Sequence, residues 1–361
     1  MEYSNICISC FEPKSGDVCE HCGYVESEEK RRSALPARTL LNRKYLIGEL
    51  INIGKTAVDY KAFDVEKEKI VEIQEYFPRD VAVRDSLGFN VLVDGDENLA
   101  IYRKNLTSIE ENSNKMMIFN SSPYIVNFFD CFFENNTIYV VKEYIEGVFL
   151  DDFVKSSSGV LDTETALSIM IPVLDGLNQL HKEGLIHRGL TPKSIILTVN
   201  NEVKITNFNF LKEASPYKDE AMTVYFTSGY APSEQYKSKS KQGPFSDIYS
   251  AGAILYRILT GKKPTDSLDR TAGDLLAAPK DLNPDIPDNI SLSIMKAMDM
   301  TAELRFKTAT DFKKCLIEKK DVCSIDNELK TIKKNRVRNA IVISACVLVA
   351  SIAVVLYIIF G

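Results

Sequence analysis

The sequence predicts an α+β chain built as two lobes, a small β-rich one followed by a larger helical one, with an accessory module at each end. Three observations carry this. Apolar residues alternate with a period of two from Tyr45 onward and with a helical period beyond about residue 160. Four of the eight cysteines fall within the first 22 residues, and the last 22, Ala340 to Gly361, carry no charge. The 361 residues are 45% hydrophobic and 26% charged, an ordinary globular composition that excludes a disordered or collagen-like chain. The net charge of −6 excludes a general nucleic-acid binder, whose affinity rests on a basic surface, so no nucleic-acid partner is expected.

Residues 1–24 hold Cys7-x-x-Cys10 and Cys19-x-x-Cys22. Two such knuckles supply four thiolates to a tetrahedral Zn²⁺, and a segment too small to own a core is stabilised by that binding, so a structural zinc ribbon is expected. Disulfides are the rival reading, disfavoured in a cytoplasmic compartment. His21 reads as a solvated neighbour of the ligands, and Cys131, Cys315, Cys323 and Cys346 lack ligand spacing. Residues 25–44 are charged, lack a sustained apolar period and read as a linker. YLIGELINI, AVDYKAFDV and KIVEIQEYF alternate like strands, a helix is expected around 101–118, and TIYVVKEYI reads as another strand. TETALSIMIPVLDGLNQLHKEG, SDIYSAGAILYRILTG and NISLSIMKAMDM carry apolar residues at i, i+3, i+4 and i+7, hence helices. Residues 319–339 form a basic juxtamembrane segment, with Lys330, Lys333, Lys334, Arg336 and Arg338 ahead of 340–361. The uncharged stretch spans about 33 Å as a helix, enough to cross a hydrocarbon core of about 30 Å. The positive-inside rule then places everything before it in the cytoplasm, and no signal peptide is expected in MEYSNICISC.

IHRGLTPKSIIL, VKITNFNF, GYAPSEQY, SDIYSAGAILYRILTGKKP and AELRF resemble, in this order, the protein-kinase signature set. EIQEYFP and GYAPSEQY with QGPFSDIY are similar to a group of bacterial, often membrane-anchored serine/threonine kinases with EYFP after the third strand. The resemblance implies a bilobal protein-kinase-like fold over 45–318, with the N-lobe about 45–142 and the C-lobe about 143–318.

It also implies a degenerate site. The family's His-Arg-Asp is His187-Arg188-Gly189, so the Asp that accepts the substrate proton is absent. The Lys two positions on is Thr191, and the metal-binding Asn is Ser194. Asp-Phe-Gly is Asn207-Phe208-Asn209, so both positions that would hold Mg²⁺ are neutral. Val-Ala-Ile-Lys is Val71-Glu72-Ile73-Gln74, which removes the phosphate-binding lysine. The glycine loop reads Asn52-x-Gly54-x-x-Ala57-Val58, with only Gly54 kept and Val58 taken as the valine. Glu72 replaces the small residue over the adenine and Lys142 falls at the gatekeeper, so either the two pair inside the adenine site or both turn outward. The helix glutamate is open among Ser113, Glu110 and Glu111. Glu234 and Arg305 match the family's buried ion pair, Asp247 matches the aspartate that braces the catalytic loop and is also a candidate N-cap, and His187 and Arg188 persist as structural residues.

These substitutions imply a membrane-anchored cytoplasmic pseudokinase that binds Mg·ATP poorly or not at all and holds another cytoplasmic protein, an active kinase or its substrate. The alternative is a serine/threonine kinase or nucleotide binder with noncanonical or residual ATP binding. Thr223, Thr227 and Ser228, between Asn207 and Glu234, read either as phosphorylation sites or as part of a solvated loop.

Overall fold

Alternating apolar residues build a six-stranded antiparallel sheet in the computed structural model, which describes residues 3–26, 33–210, 227–236 and 240–318. Its chain order is β1 (Leu40–Leu41), β2 (Tyr45–Ile53), β3 (Ala57–Asp64), β4 (Lys69–Tyr76), a hairpin of β5 (Ala82–Arg84) and β6 (Val91–Val93), helix α1 (Asp96–Met116), β7 (Phe128–Glu134) and β8 (Thr137–Glu143). The spatial order is β1-β2-β3-β4-β8-β7, with β5 and β6 a separate pair. Helix α1 packs against β7 and starts earlier than its apolar period indicates, because Asp96 and Glu97 favour the first turn of a helix through its dipole.

After the crossover come β9 (Gly147–Phe149), α2 (Leu150–Ser156), α3 (Thr163–Lys182), β10 (Ile195–Thr198), β11 (Val203–Ile205), α4 (Pro244–Thr260), α5 (Ser267–Arg270), α6 (Pro279–Leu282), α7 (Asp288–Ala297) and α8 (Ala309–Ile317). Helix α3 is capped by the Asp162 carboxylate, which accepts from Thr165 N at 2.9 Å. Helix α4 is the axis of this lobe: Ile248, Tyr249, Ile254, Leu255, Ile258 and Leu259 are all fully buried, each stabilising the fold by about 1.5–3 kcal/mol. The result is the bilobal architecture that the resemblance implies, with the cleft between the β8–β9 crossover, the α3–β10 loop and the sheet.

Two features differ from the sequence reading. The described part of residues 25–44 is packed: Leu35 is buried with its N–H on the Tyr60 hydroxyl (2.9 Å), and β1 pairs with β2. Two consecutive leucines pair at the sheet edge without any period that could announce them. Helix α4 begins at Pro244, so Asp247 lies inside its first turn and is not an N-cap. Among the described residues no helix is long and apolar enough to cross a membrane; the expected span at 340–361, the basic segment at 319–339, Thr223, Cys323 and Cys346 lie outside them.

Candidate functional site

Asp247, fully buried, organises the loop between α3 and β10. Its Oδ2 accepts from His187 N (2.9 Å) and from His181 Nε2 (2.8 Å), and its Oδ1 accepts from Arg188 N (3.0 Å). Burial opposes the charge, but these donors and the two imidazoles hold the carboxyl below its usual range. The His187 ring is sealed against Phe208, with Nε2 2.9 Å from Thr206 O and Nδ1 accepting from Gly189 N at 3.2 Å. Only the neutral Nε2–H tautomer satisfies both contacts, and burial lowers the ring's pKa accordingly.

Gly189 does not adopt a positive φ, and a Cβ there would stand 3.4 Å from Asn209 Cβ and 3.6 Å from Asn207 O, ordinary contacts. The glycine therefore removes a side chain without meeting a backbone need. Ser194 Oγ donates to Gly189 O (2.9 Å) and accepts from Thr191 N (3.2 Å), while Thr191 Oγ1 accepts from Lys193 N (3.2 Å). Asn207 holds a φ of 57°, and its Nδ2 donates to Lys193 O at 2.8 Å. The residues at the metal positions are thus engaged with the loop's own backbone. Arg188 also adopts a positive φ of 63°; its carbonyl accepts from Gln235 Nε2 (3.0 Å) and burial lowers its pKa.

On the sheet side, register decides which side chains face the cleft. Asp59 lies opposite Gln74, Lys61 opposite Glu72, and Glu72 opposite Lys142. Val58 lies opposite Glu75, on the other face, and is fully buried there. Val58 is thus not a pocket residue: successive side chains alternate across a strand, so Asp59 takes that place. The last motif residue falls two positions after Ala57, and counting that spacing would have found it. Gln74 Nε2 donates to Asp59 Oδ1 (2.8 Å), and Asn52 Nδ2 donates to Asp59 Oδ2 (3.3 Å). Glu72 and Lys142 pair at 2.8 Å, with the lysine side chain 3% exposed and the carboxylate 16%. Burial raises the Glu72 carboxyl against the pull of Lys142; at Lys142 burial opposes the charge, but Glu72 and Asp59 outweigh it and raise its pKa.

The cleft retains a cavity of about 340 Å³ lined by Asn52, Asp59, Gln74, Arg188, Gly189 and Asn207 among others, with neither Glu72 nor Lys142 in its wall. From α1, Ile109 lines this cavity; Glu110, Glu111 and Ser113 do not. The α1 residue that shares the cavity wall with Gln74 is therefore apolar, whereas the fold's ion pair would need a carboxylate.

The Glu75-Tyr76-Phe77-Pro78 motif works on both faces of the sheet, Tyr76 on the cleft side and Glu75 on the other. Glu75, fully buried, accepts from Tyr60 and Tyr139 hydroxyls (2.8 Å each) and pairs with Arg84 of β5. Arg84 also donates to Ser33 O and Phe89 O and stacks over Phe77 at 4.8 Å. Tyr76 stacks on Tyr102 of α1 at 5.1 Å. The motif bolts the β5–β6 hairpin and α1 to the sheet. In the C-lobe, Arg305 pairs with Glu234 at 2.6 Å, and Ser246 Oγ donates to the same carboxylate at 2.9 Å.

Cys7, Cys10, Cys19 and Cys22 converge, with all four sulfurs within 4.8 Å of one another. Cys7 and Cys22 Sγ lie 3.7 Å apart and Cys10 and Cys19 Sγ 3.6 Å, far beyond a bonded disulfide. A metal–sulfur bond of about 2.3 Å in a tetrahedron separates the sulfurs by about 3.8 Å, so the cluster fits one Zn²⁺-sized ion. The two knuckles are built alike. Cys7 N donates to Glu12 O and Phe11 N to Cys7 O; Cys19 N donates to Tyr24 O and Gly23 N to Cys19 O. Gly23 takes the left-handed turn freely at φ 73°, whereas Phe11 occupies the matching position at φ 62°.

A protein kinase domain family model matches residues 100–321. The chain is similar to probable serine/threonine-protein kinases of Clostridium perfringens, 28% identical over 283 residues (75% of this chain and 38% of that protein), and of Clostridium acetobutylicum, 28% identical over 312 residues (83% and 42%). It thus spans about two fifths of the length of these relatives. Among solved structures it resembles PpkA-294 in its apo form, at TM-score 0.70 and 23% identity over 79% of this chain and 99% of that one. It also resembles the Mycobacterium tuberculosis PknI kinase domain, at TM-score 0.59 and 16% identity over 79% of this chain and 99% of that one. At these identities the structures speak for the fold alone.

Proposed function

This chain belongs to the protein kinase domain family, and from that premise we propose that it is a membrane-anchored pseudokinase, a cytoplasmic scaffold that binds another protein and transfers no phosphate. The observation that carries this reading is that the chain's own groups satisfy each position at which the fold would handle Mg·ATP. Gln74 is bonded to Asp59, Asn207 and Ser194 are bonded to backbone carbonyls, and the Glu72–Lys142 pair stands where the resemblance places adenine. Mg²⁺ is usually held by one or two carboxylates together with the substrate phosphates, neither Asn207 nor Ser194 supplies one, and an aspartate beside Gln74 repels phosphate. No general base remains at residue 189, which by itself forfeits about 10²- to 10⁴-fold in rate.

Zn²⁺ held by Cys7, Cys10, Cys19 and Cys22 plays a structural part in this reading. The uncharged stretch at 340–361 anchors the chain, and the five basic residues before it keep the bulk of the chain on the cytoplasmic side. The partner is a cytoplasmic protein, an active kinase or a kinase substrate, gathered near the bilayer.

A second reading, serine/threonine kinase activity by a noncanonical route, is favoured by the similarity to probable serine/threonine-protein kinases. One experiment separates the two. With the full chain, labelled ATP and Mg²⁺ or Mn²⁺, phosphotransfer is expected to equal the metal-free blank. The melting temperature should not move on adding Mg·ATP, whereas saturation at 100 times Kd would add about 2.7 kcal/mol. Transfer well above the blank establishes the second reading. Crosslinking in membranes followed by pull-down tests the scaffold role.

A further inference from the structure

The four-cysteine module is built into the sheet that roofs the cleft. Strand β2 breaks register with β3 between Ile47 and Leu50, a bulge that takes in Gly48 and Glu49. The Glu49 N–H donates to Ile8 O at 2.8 Å, in the space between the two cysteines of the first knuckle. Gly48 is required there, because a Cβ would overlap both the Ile8 carbonyl oxygen and the Phe11 ring. Phe11 stacks on Phe63 of β3 at 5.4 Å, and Ile8 and Phe11 are both buried. A second anchor lies beside β1: Arg38 donates to Ile6 O and bridges to Glu26, which also meets Lys14. The left-handed backbone at Phe11 is costly for an aromatic residue, and the knuckle turn together with this packing holds it.

Glu49 is three residues before Asn52, which opens the loop of Asn52 to Ala57 over the cavity. At about 3.3 Å per strand residue, the seam is about 10 Å from the roof of the cleft. The module has almost no core of its own, so its geometry depends on what the four thiolates hold.

We propose that a thiophilic divalent cation, Zn²⁺ in the first instance, bound by Cys7, Cys10, Cys19 and Cys22, sets the β2 bulge through Ile8, Phe11 and Gly48 and thereby controls the order of β2–β3 and the loop over the cleft. This rests on the reading of the cysteine cluster as a zinc site and adds a coupling from that site to the kinase fold. Loss of the metal frees the knuckle, the Ile8 carbonyl leaves Glu49, and the loop from Asn52 to Ala57 loses its support, while α3 and α4 are untouched.

Hydrogen exchange of the full chain in detergent micelles tests this, comparing metal-loaded protein with protein stripped by a chelator, with zinc content measured on both. Amides of residues 45–63 should exchange at least tenfold faster after stripping and recover on adding Zn²⁺, with α3 and α4 unchanged. Phe11→Ala keeps all four ligands, so it should still bind one zinc per chain while the response of 45–63 to stripping falls severalfold. Gly48→Ala, which forces the same seam apart from the sheet side, should do likewise. One zinc bound with faster exchange confined to residues 3–26 overturns the coupling and leaves the zinc reading standing. No stoichiometric zinc in the loaded protein overturns both.

Discussion

Lys142 and Glu72 show how one residue changes meaning with its neighbours. Each is an ordinary surface residue type, and each is placed by cross-strand pairing under the sheet, where the pair and Asp59 bring two acids and one cation together. A buried pair need not stabilise the fold, since desolvating both charges offsets their attraction, but breaking it leaves one charge alone. Lys142→Met should therefore destabilise the protein by about 3 kcal/mol, because Glu72 then faces Asp59 without a counter-ion. The double variant Glu72→Ala, Lys142→Met should return to within about 1 kcal/mol of the parent. Denaturant unfolding of the parent, both single variants and the double variant checks this, and simple addition of the single effects would refute it. Gly189, Ser194 and Asn207 were legible as losses from the sequence because each sits at a fixed offset inside a short motif. Asp59 was missed because Val58 was taken as the motif's valine by residue type, although the spacing from Gly54 and Ala57 points to Asp59.

At the scale of elements, the strands and helices on the cleft follow their period closely. TETALSIMIPVLDGLNQLHKEG became α3 because a single buried face sets its pattern, whereas TIYVVKEYI became β8, a short β-branched and aromatic run buried on both faces. The β5–β6 hairpin and β1 were not legible, being too short to show alternation and held by distant groups. Glu75 does this for the hairpin: it is the counter-ion of Arg84, whose side chain is 3% exposed, and the acceptor for two tyrosine hydroxyls. Glu75→Ala should cost about 3–5 kcal/mol, the range for stripping a buried cation of its partner, and should raise hydrogen exchange in residues 78–95. Unchanged stability would mean that the hairpin is held by its apolar contacts alone.

At the scale of the whole molecule, the C-lobe holds an acid-sensitive joint. Asp247 of α4 ties His181 of α3 to the backbone of His187 and Arg188, so the protonation of this cluster is felt across the C-lobe. His187 is neutral when folded, with its pKa below the ordinary value of about 6.5. Its contribution is complete above that pH. As pH falls below about 6.5 the unfolded chain takes up a proton that the folded one refuses, and stability declines by up to about 1.4 kcal/mol per pH unit until the folded pKa is reached. Asp247, also lowered, is lost only below about 3.9, so the two losses are separable. Melting temperatures from pH 7.5 to 5 should fall more steeply for the parent than for His187→Asn, and equal slopes would remove His187 from this role.

By itself the sequence determined the order of the longer strands and helices, the two lobes, the cysteine knuckles and the residue types that stand where the resemblance expects the catalytic aspartate, metal ligands and phosphate lysine. These depend on period and on residue type at short fixed spacings, which are local properties. Only the tertiary structure decided that Glu72 meets Lys142 and that the cysteine module grips β2 at Gly48. Each of these depends on register and close approach between segments far apart in the chain, and a shift of one residue in pairing would send every side chain of a strand to the opposite face.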